Sequence, residues 1–223
     1  GSITSSVSAN TTAGFSIVSY TGTGSAATVG HGLSQTPELV IVKERETAGF
    51  DWLVYSDPVG ATKNLRLNLT NAEGTSSGFW NDTAPTSTVF SIGSSNDVNY
   101  NGKGIIAYCF HSVEGYSKVG GYTGNGSTDG TFVYTGFKPA FILWKSTSAS
   151  ENWQIQDNKV NPYNVVDKKL FANTTATEYT GAKVDFVSNG FKLRHSGGGG
   201  NGSSETLIYL AFAESPFKTA NAR

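Results

Sequence analysis

The chain has 223 residues, of which 16 are Lys or Arg and 17 are Asp or Glu, so its formal net charge is −1. This balance, without a basic stripe, argues against binding of DNA or RNA. Glycine is abundant at 27 residues, methionine is absent and 15% of the chain is charged, a composition that favours strands and turns over helices. The longest apolar runs, at 105–110 and 207–213, are too short for a membrane helix, so we predict no membrane insertion. Cys109, inside the first run, is predicted to be a buried thiol.

Short apolar runs between turn-forming clusters predict strands along the whole chain. In its first part these strands cover residues 15–20, 38–43, 52–55, 65–69, 88–92 and 104–110. In its second part they cover residues 116–122, 132–134, 140–145, 153–156, 169–171, 184–187, 191–194 and 206–212. Because no stretch carries a helical period, the chain is predicted to be all-β, built from antiparallel β-sandwiches of the jelly-roll or lectin-like kind. The alternative is one larger jelly roll that shares strands from both parts.

The two parts resemble each other in sequence. The segment YTGTGSAATVG begins at Tyr20 and YTGNGSTDGT begins at Tyr122, 102 positions later, and at the same offset PELVIVK faces PAFILWK. We therefore predict two homologous tandem β-sandwich repeats packed with pseudo-two-fold symmetry. Their predicted bounds are an N-terminal extension at 1–14, repeat 1 at 15–114 and repeat 2 at 115–223.

The paired glycine-rich segments allow two interpretations. Repeated glycines can cradle a phosphate group, but such a site needs a helix N-terminus after the loop, and both segments run from one strand towards another. The favoured interpretation is a loop between strands in which glycines adopt positive φ. Only the second copy carries Asn125 and Asp129, which makes it the secondary candidate for polar ligand contacts.

Catalytic and metal-binding patterns are weak. The three histidines stand apart without zinc-ligand spacing. Glu44 and Glu46 would share one face of a strand, as the paired carboxylates of a glycoside hydrolase can, but the interleaved charges favour a solvated strand end. We therefore predict no enzymatic activity, no catalytic residues and no cofactor, and rank a polysaccharide hydrolase third among the functions. Oxygen-rich loops at 81–82, 96–99 and 157–158 allow a structural calcium ion.

Aromatic residues give the main indication of function. The tryptophans of predicted strands, which are expected to pack in the core, are Trp52, Trp144 and Trp153. Trp80 lies in a predicted loop beside Asn81 and Asp82, where the ring could stack on a sugar while amide and carboxylate bond its hydroxyl groups. Tyr100, in the loop DVNYNGKG, is a second exposed candidate. These four residues form the predicted glycan site, and the alternative is a Trp80 ring that folds back over a sheet end.

Several runs together resemble a two-repeat β domain of virion structural proteins, often tail-fibre-like, from tailed bacteriophages and prophages. They are GFSIVSYTGTGSAATVGHGLSQTPELVIVKER, FWNDTAPTSTVFSIG, AYCFHSVEGYSKVGGYTGNGSTDGTFVYTGFKPAFILWK and the ending IYLAFAESPFK. The resemblance covers nearly the whole chain and carries over no catalytic or ligand residues.

This resemblance implies a module on the surface of a virion, an extracellular particle. The leading expectation is a non-enzymatic host-recognition domain of a tail fibre or spike, which binds a cell-surface glycan and is displayed as a homo-oligomer. The alternative is a decoration or assembly protein of capsid or tail, which binds other virion proteins and no glycan.

Overall fold

The computed structural model describes residues 1–216, and residues 217–223, at the end of predicted repeat 2 and of the run IYLAFAESPFK, lie outside it. Within the described residues the protein is all-β, with seventeen strands and two one-turn helices. Neither of these helices is long and apolar enough to cross a membrane. The chain forms two compact units: Gly1–Asn68 with Glu73–His111, and Leu69–Ala72 with the chain from Ser112 onward.

The first unit is a β-sandwich. Its strands are β1 (Ser5–Asn10), β2 (Phe15–Thr21), β3 (Ala27–Gly30), β4 (Leu39–Glu44), β5 (Leu53–Ser56), β6 (Lys63–Arg66), β7 (Gly74–Thr75), β8 (Val89–Ile92) and β9 (Gly104–Phe110), with helical turns α1 (Ser77–Trp80) and α2 (Asn96–Asn99). Seven strands form an antiparallel sheet in the order β1-β2-β9-β4-β5-β6-β7, and β3 pairs with β8 in a second sheet. Side chains from both sheets share one core.

Alternation of side chains explains how this sheet packs. In β9 the side chains of Ile105, Ala107 and Cys109 are buried in the core, whereas Ile106 and Tyr108 lie on the other face. Successive residues of a strand point to opposite faces, so one apolar residue in two is enough to build the core. Burial also raises the pKa of the Cys109 thiol to about 12, and the predicted buried thiol is confirmed.

The second unit is one curled sheet. Its strands are β10 (Ser117–Thr123), β11 (Phe132–Tyr134), β12 (Pro139–Ser146), β13 (Gln154–Asp157), β14 (Val166–Phe171), β15 (Tyr179–Val187), β16 (Gly190–Leu193) and β17 (Thr206–Ala213). Their order is β10-β17-β12-β13-β14-β15-β16-β11. Val133 at one end of this order and Tyr209 near the other belong to one core, so the sheet closes over itself into a near-barrel sandwich.

Aromatic rings fill the core of the second unit. Phe191 of β16 stacks on Trp144 of β12 with ring centroids 6.4 Å apart, and it meets Tyr209 of β17 edge to face at 5.4 Å. Trp144 and Trp153 are buried, as predicted. Trp52 in the first unit is only half-buried, so its predicted place in the core is wrong.

A buried asparagine holds the first glycine-rich loop. The N–H of Thr23 donates to Oδ1 of Asn99 at 2.7 Å, and the N–H of Gly24 donates to the carbonyl oxygen of Asn99 at 2.9 Å. A Cβ on Gly22 would lie 2.2 Å from the carbonyl oxygen of Tyr100, and Gly24 has a φ of 74°. Both positions therefore require glycine, and the loop leads into strand β3, as the favoured interpretation predicted.

A buried asparagine, Asn201, also holds the second glycine-rich loop. The N–H of Asn125 donates to Oδ1 of Asn201 at 3.1 Å, and the N–H of Gly126 donates to its carbonyl oxygen at 2.9 Å. A Cβ on Gly124 would lie 2.3 Å from the carbonyl oxygen of Gly202, and Gly126 has a φ of 66°. This loop leads into strand β11, again without a helix at its end.

The N-terminal segment 1–14, predicted as an extension, contributes to the first unit. Strand β1 pairs with β2 along its whole length, from Ser5 opposite Tyr20 to Asn10 opposite Phe15. Ile3 is part of the core. Each sheet takes its strands from a single unit, which differs from the alternative of one jelly roll with shared strands.

Candidate functional site

Trp80, the centre of the predicted glycan site, is buried. It is 2% exposed, and its ring meets that of Tyr55 edge to face with centroids 6.0 Å apart. The segment SGFW forms the turn α1, which is capped by Ser76 and ends at Asn81 in the left-handed conformation. This turn directs Trp80 into the core of the first unit. The predicted exposed ring is therefore wrong, and the ring folds back into the protein instead.

The other three residues of the predicted glycan site lie at or near the surface, separated from the buried Trp80 ring. Asn81 and Asp82 are exposed, and each has a φ of 50°. Tyr100 is half-buried and packs edge to face on Phe50, with centroids 5.5 Å apart. With Trp80 buried, these residues do not form the predicted stacking site.

Glu44, one of the two acids considered for hydrolysis, holds a turn. Its buried carboxylate accepts the backbone N–H groups of Glu46 and Thr47, each at 2.8 Å. Burial raises the pKa of this carboxyl, but the hydrogen bonds from Glu46 and Thr47, together with the charge of Lys43, outweigh burial and leave the pKa below its ordinary value. Glu46 accepts the N–H of Gly104 at 2.8 Å. The general acid of a glycosidase needs a raised pKa, so Glu44 is poorly suited to that role.

Trp52 lies in an open pocket of about 480 Å³ in the first unit. Its ring is nearly parallel to that of Tyr108, with 16° between the planes and centroids 6.5 Å apart. Lys43, Arg45 and Glu46 also line this pocket. We call it the Trp52 pocket, and it is an aromatic surface of the first unit.

The second glycine-rich loop holds Asp129 at the surface. The side chain of Asn125 shapes the loop, since it accepts the N–H of Ser127 at 3.0 Å and donates to the carbonyl oxygen of Asp129 at 3.1 Å. The Asp129 carboxylate lies 2.8 Å from Nζ of Lys192 and 3.7 Å from Nη1 of Arg194. The hydrogen bond and charge of Lys192 lower the pKa of Asp129. The secondary candidate loop thus places a carboxylate beside two cations.

Those cations belong to the outer face of four neighbouring strands, β14, β15, β16 and β11. Along β15 the side chain of Ala182 points into the core, whereas Lys183 and Asp185 point away from it. Register extends this face across the sheet, because Lys192 pairs with Asp185 on one side and with Phe132 on the other. The residues of this outer face are Tyr179, Lys183, Asp185, Lys192, Arg194, Phe132 and Tyr134, and Lys169 lies beside it, opposite Tyr179 in the irregular β14–β15 pair.

Charged side chains occupy the middle of the outer face. Nε of Arg194 lies 2.5 Å from Oδ2 of Asp185, and Asp129 joins Arg194 to Lys192. Partly exposed ion pairs of this kind stabilise a fold little. Their effect here is to present hydrogen-bond donors and acceptors at fixed positions on the surface.

Three aromatic rings of the outer face are open to solvent. Phe132 is 45%, Tyr134 66% and Tyr179 54% exposed. Phe132 and Tyr134 are two residues apart on the edge strand β11 and so point the same way. Tyr179 lies opposite Lys169 in the β14–β15 pair. Exposed rings beside polar groups suit sugars, because a ring stacks on the C–H face while the polar groups bond hydroxyls.

A pocket of about 430 Å³, which we call the Tyr179 pocket, lies at one end of this face. Its lining includes Tyr179, Lys169, Lys183, Arg194, His195 and the loop 196–198. Nζ of Lys169 donates to Oε1 of Gln154 at 2.8 Å and lies 5.1 Å from the Tyr179 ring centroid. Burial lowers the pKa of Lys169, and the charge of Glu151 opposes that change. The pocket therefore contains a half-buried ammonium beside an exposed ring.

The glycine-rich wall of this pocket is fixed from the core side. The carbonyl oxygen of Gly199 accepts the indole N–H of Trp144 at 2.9 Å and the side-chain amide of Gln154. The N–H of Gly199 donates to Oε1 of Glu205 at 2.9 Å. Burial lowers the pKa of His195, so that this residue adds little positive charge to the pocket at neutral pH. The wall is thus a positioned backbone segment.

The sequence alone did not identify these outer-face residues, although it contains a signal of them. The segment FVY at 132–134 places aromatic residues at alternate positions, and AKVDF at 182–186 alternates apolar with charged residues. Such patterns predict which residues of one strand face solvent. They do not show which strands are neighbours, and the site is assembled from four of them.

Carboxylates from two of the three loops considered for calcium accept backbone N–H groups. Oδ1 of Asp97 accepts the N–H of Asp51 at 2.8 Å. Oδ1 of Asp157 accepts the N–H groups of Lys159 at 2.8 Å and Val160 at 2.9 Å. Within residues 1–216 no group of three or more His, Cys, Asp or Glu is placed to hold a metal ion. A calcium ion stays a prediction.

Comparison with known proteins gives one match. A family model described as a domain of unknown function, DUF7483, matches residues 1–216 and so spans both compact units. No curated protein and no solved structure matches the chain.

Proposed function

The chain belongs to the DUF7483 family of domains of unknown function, and from the geometry of its second unit we propose that it is a non-enzymatic virion surface module that binds glycan. The outer face and the Tyr179 pocket are the proposed binding surface. The resemblance to tail-fibre-like proteins supports the setting, a host-recognition domain of a fibre or spike on an extracellular particle. Its partner is then a glycan of the host cell surface.

The proposal includes homology between the two units. Their sheets share a strand order, β2-β9-β4-β5-β6 in the first and β10-β17-β12-β13-β14 in the second, which supports a duplication. Hydrogen bonds also recur 102 positions apart: the hydroxyl of Tyr20 donates to the carbonyl oxygen of Val98 at 2.7 Å, and that of Tyr122 to Gly200 at 2.8 Å. The buried asparagines of the two loops follow the same offset. A pseudo-two-fold arrangement stays a prediction.

One observation carries the proposed function: three exposed rings share a face with a fixed row of charged side chains. Large apolar side chains are usually buried, so a cluster of exposed ones indicates a surface that binds something. A sugar has both an apolar C–H face and a rim of hydroxyls, which match Tyr134 or Tyr179 and the donors of Lys192 and Arg194. Such a surface binds without bond cleavage.

The runner-up function, virion decoration or assembly, has one observation in its favour. Strand β11 is an edge strand, and the ring of Phe132 on it is 45% exposed. Open strand edges and exposed apolar groups are also features of protein interfaces. We prefer glycan binding because Lys192, Arg194 and Asp185 supply hydrogen-bonding groups across the same face.

Glycan arrays followed by titration calorimetry test the proposal. The intact chain should bind at least one glycan on the array, and Tyr134→Ala should weaken that binding by about three- to tenfold, since one stacked ring contributes about 1 kcal/mol. Tyr163→Ala is the matched control, because Tyr163 is 84% exposed in the same unit but lies outside the outer face. Its affinity should stay within about twofold of the unaltered chain.

Three outcomes would contradict parts of this proposal. If the intact chain binds no glycan, the function is wrong and assembly becomes the leading function. If Trp52→Ala removes binding and Tyr134→Ala does not, the site lies in the Trp52 pocket of the first unit. If Tyr163→Ala weakens binding as much as Tyr134→Ala, the effect does not belong to the outer face.

Display as a homo-oligomer is part of the same proposal. A single shallow site that stacks on sugars binds weakly, and several copies on one particle raise the apparent affinity through effective concentration. Binding to a glycan-coated surface should therefore persist longer for a multivalent display of this chain than for one copy, which surface plasmon resonance measures as a slower dissociation rate.

A further inference from the structure

We propose that the Tyr179 pocket selects a sugar that carries a carboxylate, of the hexuronic acid class. This inference rests on the proposed glycan binding and names the ligand that the pocket takes. Its basis is the charge of the lining: Lys169, Lys183 and Arg194 contribute cations, and no Asp or Glu is among the described lining residues.

Hydrogen-bond donors remain available to a ligand in this pocket. An ammonium group has three N–H donors, and one donor of Lys169 is accepted by Gln154. Arg194 uses Nε and Nη1 towards Asp185 and Asp129, which leaves the remaining donors of its five N–H groups for other acceptors. Lys183 is exposed, and no ion pair within residues 1–216 includes it.

The acidic side chains near the pocket are already engaged by the protein. Asp129 and Asp185 pair with Lys192 and Arg194, and the charge of Glu151 acts on Lys169. Glu205 is buried, and its carboxylate accepts the N–H groups of Gly199 at 2.9 Å and Gly202 at 2.8 Å, so it serves the loop. The charged side chains that line the pocket itself are cationic, so a ligand carboxylate is attracted by the groups that it contacts.

Glu151 is the acid with which a ligand would compete. Its charge acts on Lys169 and raises the pKa of that ammonium group. Its carboxylate lies against the glycine-rich wall, because a Cβ built on Gly198 or Gly199 would lie 3.2 Å or 2.9 Å from one of its oxygens. Removal of this acid should leave Lys169 freer to pair with a ligand carboxylate.

The size and lining of the Tyr179 pocket also fit a sugar that carries a carboxylate. The pocket, at about 430 Å³, falls within the range typical of small-ligand sites. Tyr179 offers an exposed ring for the apolar face of a pyranose, and Lys183 and Arg194 line the same pocket for its carboxylate. A neutral sugar would keep the stacking and lose the charged contacts.

Titration calorimetry on the intact chain tests this inference with two probes, trigalacturonic acid and neutral galactotriose of the same linkage. The acidic trisaccharide should bind at least about tenfold more tightly, and the difference should shrink at about 0.5 M salt, because screening weakens exposed charge pairs. Lys183→Gln should reduce the affinity for the acid about fivefold without changing that for galactotriose. Glu151→Gln should increase the affinity for the acid, and Lys159→Gln, which alters an exposed lysine outside the pocket, should change neither.

The outcomes separate this inference from the function on which it rests. Equal affinity for the two trisaccharides, or binding of neither while the array shows neutral ligands, overturns the carboxylate selection and leaves glycan binding intact. If a sulfated galactotriose binds as tightly as trigalacturonic acid, the pocket accepts anionic sugars in general, and the selection of a carboxylate is wrong. If the Lys183→Gln chain still binds the acidic trisaccharide with the full preference over the neutral one, the pocket is not the cause of the selection. Absence of any glycan binding is the separate failure of the proposed function.

Discussion

Replacing Asn201 by Ala should release the second glycine-rich loop. The side chain is fully buried, and the two N–H donors of its Nδ2 are shared among three acceptors: Oδ1 of Asn125 at 3.0 Å, the carbonyl oxygen of Ser127 at 2.8 Å and that of His195 at 2.7 Å. Its Oδ1 accepts the N–H of Asn125 at 3.1 Å. One amide therefore joins the loop 122–131 to the segment after β16.

The magnitude follows from these contacts. A typical hydrogen bond contributes about 1 kcal/mol net, and a buried group left without its partner costs about 1–3 kcal/mol. Asn125 and Ser127 are exposed, so water can replace part of what they lose. We expect a loss of about 2–3 kcal/mol from the second unit. For a unit of this size that corresponds to a transition lowered by about 10–20 °C.

Hydrogen exchange followed by mass spectrometry separates local from global effects. Asn201→Ala should accelerate exchange in peptides from 122–131 and leave peptides from 20–30 unchanged, whereas Asn99→Ala should do the reverse. Asn189→Ala, at an exposed turn, is the control and should change neither. If Asn201→Ala leaves exchange in 122–131 unchanged, or lowers stability by less than about 0.5 kcal/mol, the loop does not depend on the buried amide.

Three further predictions concern the first unit. Trp80→Ala should cost about 3–5 kcal/mol in the free energy of unfolding, because it opens a cavity, yet leave the glycan affinity of the folded chain unchanged; a loss of affinity without a loss of stability would restore Trp80 to the site. Glu44→Gln should lower stability at pH 7. The pKa of Glu44 is lower in the folded chain than in the unfolded chain, where it is about 4.3. The stabilisation by Glu44 is therefore complete above the unfolded pKa and disappears as the pH falls through the folded pKa. At that low pH the unfolding curves of variant and parent should converge. Cys109 should resist thiol reagents at pH 8 until the chain unfolds, and rapid labelling of the native chain would show that the thiol is accessible.

Strands could be predicted from the sequence because side-chain alternation is a local signal. The run IIAYCF predicts a strand whichever neighbours it has, and it forms β9. The repeat of YTG segments likewise needs only the sequence for its detection. Both predictions concern residues that are close together in the chain or related by a constant offset.

Trp80 and the two helical turns needed tertiary information. Four residues such as SGFW or NDVN are too few for a helical period, and their turns depend on caps at Ser76 and Ser95. Whether Trp80 faces solvent depends on the direction that its turn gives it. A tryptophan between turn formers is compatible with a sugar site and with a core, and the sequence alone does not distinguish them.

The outer face required the strand order as well. Lys169, Lys183, Lys192 and Phe132 are far apart in sequence, and they become neighbours because β14, β15, β16 and β11 are adjacent. In particular β11 precedes β14 by more than thirty residues but pairs with β16. A pairing of this kind is decided by closure of the whole sheet, so local patterns could not reveal it.

The proposed duplication explains why the polar site lies in the second unit. Both loops keep a tyrosine, two glycines and a buried asparagine partner, so the hydrogen-bonded frame is the same. Within that frame Ala27 of the first loop occupies the position of Asp129 in the second, 102 residues later. Ala27 packs against a core, whereas the side chain of Asp129 is 81% exposed and pairs with Lys192. The frame therefore sets the shape of both loops, and this one position differs between them, a packed alanine in the first and an exposed, ion-paired aspartate in the second.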